Sequence, residues 1–399
     1  METAVNASGR DTEVLIVGAG PTGLALATML VRSGVVPVIV DKLTTGENTS
    51  RAAVIHAHTL EVLEKLGVSE RLGERGLRLA RFSLRDRDRV LVRLHFDTLP
   101  TRYNYLLMLP QDMTEKILRE RLAEGGGAVR WGCTVEALSE TPDGVRVSVV
   151  SGAGKETIRA RYVIGADGMH SLVRQTAGIG FTGQRYEESF VLADVEMAWD
   201  HGREEVMLFF SPAGLLVVAP LPAGTYRIVA TLDNAPEQAG VADVQALLDT
   251  RGPTHGVARV SRVQWSSRFR LHHRVADHYR RGRLLLVGDA AHVHSPAGGQ
   301  GMNTGLVDAC VLGRILADVV SGRRDDTHLD TYETLRRPAA QQVLQLAGRL
   351  THMAIMKGAP QRVLRNGVLG IVSQFPGFRR ALEMNLSGLS RRAAAELPQ

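Results

Sequence analysis

Cysteine is nearly missing from this chain of 399 residues, in which Cys133 and Cys310 are the only two. That excludes a disulfide framework and a cysteine-rich metal site, and it fits a reducing compartment. Aromatic residues reach only 5 %, and 48 Lys+Arg against 42 Asp+Glu leave a formal charge of +6. So little stacking material and so small a surplus argue against nucleic acid as a partner. No run of about 18 apolar residues occurs, so no transmembrane helix is expected. Met1–Thr12 is polar and carries no signal-peptide core, which points to a cytoplasmic protein. His201, His255, His272 and His273 lack ligand spacing, so no metal site is expected. No internal repeat or low-complexity tract appears. What is there, 44 % hydrophobic and 23 % charged residues over a length of two or three domains, describes an ordinary globular protein.

The strongest local pattern lies at residues 13–41. Glu13–Val17 reads as a buried strand, Gly18-Ala-Gly20-Pro21-Thr22-Gly23 follows it, and a helix runs from Thr22 to Ser33, closed by Gly34. Val35–Val40 is a second apolar strand ending in Asp41. In such a strand–helix–strand unit the three glycines allow a tight turn, close approach of a pyrophosphate and close helix packing, and the helix start directs free N–H groups at the phosphates. Asp41 stands where a carboxylate accepts the ribose hydroxyls.

Further along, Gln111–Glu124 is an amphipathic helix, residues 77–98 form a β-hairpin, and strands at 128–138, 144–150 and 156–166 make a meander. Four β-rich runs between residues 189 and 232 predict an antiparallel sheet, Arg283–Asp289 returns to buried-strand composition, and from Cys310 the pattern is helical. The expected fold is therefore α/β: a discontinuous Rossmann-like dinucleotide-binding domain (12–180 and 281–340), an inserted antiparallel β-sheet domain (181–280), and C-terminal helices (341–399).

Two more segments narrow the function: Ala166-Asp167-Gly168-Met-His-Ser171-x-x-Arg174, and Gly288-Asp289-Ala-Ala-His292-x-x-x-Pro296-x-Gly298-Gly299-Gln300-Gly301-Met302-Asn303. With the glycine turn, in this order, they resemble the p-hydroxybenzoate hydroxylase-like (group A) flavoprotein monooxygenases, from about residue 12 to about residue 340. The resemblance implies FAD as cofactor, NAD(P)H as co-substrate, and O2 with an aromatic, bulky phenolic or polyketide-like substrate hydroxylated through a C4a-hydroperoxyflavin. It further implies that Asp289 bonds the ribityl chain and that Pro296 and Gly298–Asn303 border the flavin ring. Asp167 then lies near the pyrophosphate, and Arg51 and Gln111 touch the diphosphate or adenosine side. Many relatives run on into a thioredoxin-like domain that this sequence does not show, and His58-Thr59-Leu60-Glu61 departs from the usual helix start, where an Arg precedes the Thr.

Other readings stand beside these. Asp167 also suits a helix cap, His292 reads as a packed histidine rather than a base, and the basic run His278–Arg283 is a solvated strand entry or a contact for NAD(P)H phosphates. The C-terminal helices pack on the flavin domain or lie on a membrane, and the oligomeric state stays open. A flavin-binding protein without oxygenase turnover, a non-redox cyclase or partner subunit, is the alternative function. A halogenase is disfavoured because Trp131, Trp199 and Trp265 are scattered. Strand alternation lets either Met207 with Phe209, or Val206 with Leu208 and Phe210, line the substrate pocket. Met207, Phe209 and Leu215 stand as the candidate substrate contacts.

Overall fold

The computed structural model describes residues 11–46, 52–232, 235–295, 298–354, 356 and 358–397, apart from the side chains of 185–188, 270, 271, 354 and 359. Strand β1 (Thr12–Val17) is apolar on both faces, which suits the middle of a parallel sheet. It pairs in parallel with Gly154–Gly165 on one side and with β2 (Val38–Val40) on the other. Leu284–Leu286 and Val129–Arg130 extend the sheet, again in parallel. Helix α1 (Pro21–Arg32) makes the crossover from β1 to β2, with Pro at its first turn and Gly34 at φ 82° after its end. The meander Thr134–Thr141 and Gly144–Ser151 pairs antiparallel with the first half of Gly154–Gly165.

A second, eight-stranded sheet carries β3 (Phe181–Trp199), β4 (Glu205–Ser211), β5 (Gly214–Pro220) and β6 (Tyr226–Thr231). Alternation gives it two apolar faces. On one, Met207, Phe209, Leu216, Val218 and Ile228 pack against helix α2 (Val241–Arg251) through Val244, Leu247 and Leu248. The other face is turned toward the nucleotide-binding sheet. Strand β7 (Ala258–Ala276) pairs antiparallel with β3 along nearly its whole length. This sheet is not confined to residues 181–280, because the hairpin Arg81–Asp86/Arg89–His95 adds two strands, joined by a parallel pairing to β4.

Helix α3 (Gly301–Val320) lies against α1, where Gly313 leaves room for Met29. Beyond it, Asp330–Ala354, α4 (Ala359–Val372) and Pro376–Leu386 complete the chain, the last two each with a proline in the first turn. These C-terminal helices pack on the hairpin of the second sheet, and one of them keeps an exposed apolar face. Glu383 Oε1 accepts from the His95 N–H at 2.9 Å and Asn366 Nδ2 donates to Asp86 at 2.6 Å, so these helices cover the outer hairpin. Val363, Leu364, Val368, Ile371 and Phe375 on α4 and just after it remain exposed.

Candidate active site

The glycine turn is shaped by contacts no side chain would permit. Gly18 has φ 104°, and a Cβ there would stand 2.3 Å from the Ala166 carbonyl oxygen. A Cβ on Gly23 would meet the Gly18 carbonyl oxygen at 2.0 Å, so this glycine seats the helix and does not border the cavity. A Cβ on Gly20 would have nothing within 4 Å. Gly20 thus opens onto empty space, at the end of a helix without a side-chain cap, beside the cavity-lining Pro21 and Thr22. Asp41 borders the same space; its Oδ2 accepts the Ala19 N–H at 2.7 Å and its Oδ1 the Leu43 N–H at 2.8 Å. The carboxylate is held rigidly by backbone while lone pairs remain for hydroxyl donors.

The two other motifs are physically joined. Asp167 Oδ2 accepts the N–H groups of Leu172 and Val173 at 2.7 and 3.3 Å, so the helix-cap reading holds. Its Oδ1 is buried with no hydrogen-bond partner among the described residues, and burial raises the carboxyl above its ordinary range. Arg174 donates to the Met169 and Ala290 carbonyls, both at 2.8 Å, fastening the first motif to the second. An uncapped helix start, an open space at Gly20, and an orphaned carboxylate oxygen together fit a dinucleotide such as FAD.

In the second motif, Asp289, Gly298, Gly299, Gly301 and Met302 line the cavity, with Asp289 exposed at its edge. Asn303 works from behind. Its Oδ1 accepts the His56 N–H at 2.8 Å, and its Nδ2 donates to the Val54 and Gly299 carbonyls at 2.9 and 2.8 Å. Helix α3 starts at Gly301, inside the second motif and ahead of Cys310, where the helical pattern was read. Gln111 likewise braces the backbone, its Oε1 accepting the Ala52 N–H at 3.2 Å. Arg51 and Pro296 lie outside the described residues. His292 is buried, with Nε2 2.5 Å from Asp308, whose other oxygen takes Arg336 at 2.7 Å. Burial opposes ionisation of Asp308, but Arg336 and His292 outweigh it and hold the carboxyl below its ordinary value.

The parity that faces the cavity is not that of the candidate contacts Met207 and Phe209. Met207 and Phe209 point away from the cavity into the α2 cluster, because a strand covered on both faces has apolar residues at every position. Val206 and Leu208 take their place, with Leu215, Val217 and Val229 and with Phe82 beside Val206 on the neighbouring strand; Phe96 and Leu106 line the same cavity. His56 was not legible from any motif. It borders the cavity, its Nε2 2.9 Å from the Gly298 carbonyl oxygen, and burial pushes it down to about 4. His294, also at the cavity, is pushed to about 4 by burial. Gln300 extends this corner to the end of the chain, donating to the Leu386 carbonyl at 2.9 Å and accepting from Arg391 at 3.1 Å. Among the described residues no cluster of His, Cys, Asp and Glu suits a metal ion, and no helix is long and apolar enough to cross a membrane.

Residues 11–347 match the family described as FAD binding domain. The chain is 35 % identical over 403 residues to pentachlorophenol 4-monooxygenase of Sphingobium chlorophenolicum, an alignment covering 97 % of this chain and 72 % of that protein. Among solved structures it superposes on the anhydrotetracycline hydroxylase of Streptomyces rimosus with a TM-score of 0.80 at 33 % identity, covering 95 % and 76 % of the two chains. A Diels–Alderase of pyrroindomycin biosynthesis gives 0.80 at 28 % identity over 94 % and 80 %. The three motifs, their convergence on one cavity and the family match over most of the chain agree, and the chain belongs to the p-hydroxybenzoate hydroxylase-like family of FAD-dependent aromatic monooxygenases.

Proposed function

We propose that this protein uses NAD(P)H and O2 to hydroxylate a bulky, largely apolar phenol of polyketide-like shape. The observation that carries the reading is a single cavity of about 980 Å³ that runs from the glycine turn to the apolar face of the second sheet. When bound, FAD would take electrons from NAD(P)H and activate O2, which supplies the oxygen atom that is transferred.

The chain's own part is holding, orienting and drying. The start of α1 would hold the pyrophosphate, Asp41 the ribose hydroxyls, and Asp289 the ribityl chain. Gly298–Met302 would border the ring, and Asn303 and His56 brace that segment from behind. Val206, Leu208, Leu215, Val217 and Val229 give the phenol a flat apolar wall and exclude water from the reacting face. His292 is buried, and its Nε2 lies in a network with Asp308 and Arg336 that supports a structural role. The likeness to a Diels–Alderase favours a second reading, a flavin-bound catalyst of ring closure that consumes no reductant.

Nicotinamide oxidation in air separates the two. Polycyclic phenols are expected to stimulate it and to be recovered hydroxylated, with p-hydroxybenzoate a poor stimulant. Stimulation and product from p-hydroxybenzoate alone would overturn the substrate reading, and no stimulation by any phenol would favour the second.

A further inference from the structure

The apolar wall that β4, β5 and β6 give the cavity is interrupted at one place; on β7, Arg268 and His272 border the cavity too, Arg268 donating to the Ala235 carbonyl at 3.0 Å and to Glu237 at 3.4 Å. Arg227, on β6, lines the cavity with 3 % of its side chain exposed, and β4, β5 and β6 contain no other basic residue. An arginine keeps its charge at any working pH, so the charge has to be met where it stands. Asp194 lies directly across the sheet on β3, in register with Arg227. The two form a fork: Nε donates to Oδ1 and Nη2 to Oδ2, both at 2.7 Å. Nη1 donates to the Ala52 carbonyl at 2.8 Å, on the nucleotide-binding side. Phe190 and Leu192, which precede Asp194 on the same face of β3, line the cavity themselves.

We infer that Asp194 sets the charge selectivity of this site, admitting neutral aromatic substrates and excluding carboxylates by occupying the cation that would receive them. This rests on the reading of the cavity as the aromatic substrate site. A carboxylate entering the apolar cavity loses its water and finds the guanidinium fork already closed by a carboxylate of the protein's own. In Asp194→Asn the fork loses its anion while Arg227 stays charged, and an incoming carboxylate then gains a charged partner in a site of low polarity. Asp194 acts through Arg227 and is a positioning residue.

The test uses the FAD-loaded enzyme and two anthraquinones with one ring system, aloe-emodin, which carries a hydroxymethyl group, and rhein, which carries a carboxylate in its place. Equilibrium titration is followed by the change in the visible flavin spectrum. The wild type is expected to bind aloe-emodin and to discriminate against rhein. Asp194→Asn should improve the rhein-to-aloe-emodin affinity ratio by roughly 10-fold to 100-fold, the worth of one charge-assisted hydrogen bond. Asp194→Glu should restore discrimination, which a merely structural role would not do. Rhein bound by the wild type as tightly as aloe-emodin would overturn the inference without any variant. So would an unchanged ratio in an Asp194→Asn protein that keeps its flavin spectrum. If neither compound binds the wild type, the reading of the cavity as a polycyclic aromatic site falls, and this inference with it.

Discussion

Gly20 and Gly23, in the turn and helix start after β1, do different work, and the difference is measurable. In Gly23→Ala the new methyl group would stand 2.0 Å from a backbone oxygen that has no way to retreat. Such overpacking costs about 1–3 kcal/mol or more, and a lowered urea midpoint is the expected outcome. In Gly20→Ala the methyl enters open space. Its urea midpoint should stay near that of the wild type while FAD affinity, read by fluorescence titration of the apoprotein, drops about tenfold or more, since the space is that of the pyrophosphate. Equal stability losses in both variants would show that Gly20 is structural as well. At this scale much was legible: the turn, Asp41 and the cap role of Asp167 follow from residue type and spacing. His56 and the fork of Arg227 with Asp194 were not, because each depends on a partner more than 30 residues away.

The second sheet shows at the scale of elements what alternation leaves undecided. Three of its four runs between residues 189 and 232 were legible with nearly their observed ends, while the first was read as the seven residues Phe190–Glu196 of a strand that spans Phe181–Trp199; the facing was not legible, since Met207 and Phe209 are as apolar as Val206 and Leu208. Only α2 on one side and the cavity on the other break that tie, and α2 and β7 were themselves not read from the sequence. β7 hides behind arginines on its solvent face and behind register shifts in its pairing with β3, which disturb the two-residue period. The buried group of His292, Asp308 and Arg336 ties α3 to the helix Asp330–Ala354. Asp308→Ala leaves a buried guanidinium without its carboxylate, and a loss of about 3–5 kcal/mol in unfolding free energy is expected. A loss within error by urea titration would mean that water or a neighbour replaces the carboxylate at little cost.

At the scale of the whole molecule, two sheets share one cavity, and the histidines buried around it make stability depend on pH. His56 binds a proton at about 4 in the folded protein against 6.5 ordinarily, because burial disfavours its charged form. Between those values the unfolded chain carries a proton that the folded one lacks. The stability is therefore complete above 6.5 and declines as the pH falls toward 4, by about 1.4 kcal/mol per pH unit for this group. His294 adds a decline in the same direction. His56→Gln should flatten the slope of unfolding free energy over this range, whereas a slope unaltered by the substitution would place the responsible protons elsewhere. The discontinuous nucleotide-binding half was visible in the order of three motifs. That the hairpin of residues 81–95 belongs to the second sheet was not, because its parallel pairing to β4 spans more than 100 residues.

The central claim is that one cavity brings a flavin, O2 and a bulky phenol together. It is tested most directly by supplying heavy-isotope-labelled O2 to the FAD-loaded enzyme with NADH or NADPH and a polycyclic phenol, then weighing the product. The account predicts a product heavier than the substrate by one labelled oxygen atom, formed only when the nicotinamide is consumed. A product without label, or one formed with the nicotinamide left out, would contradict it.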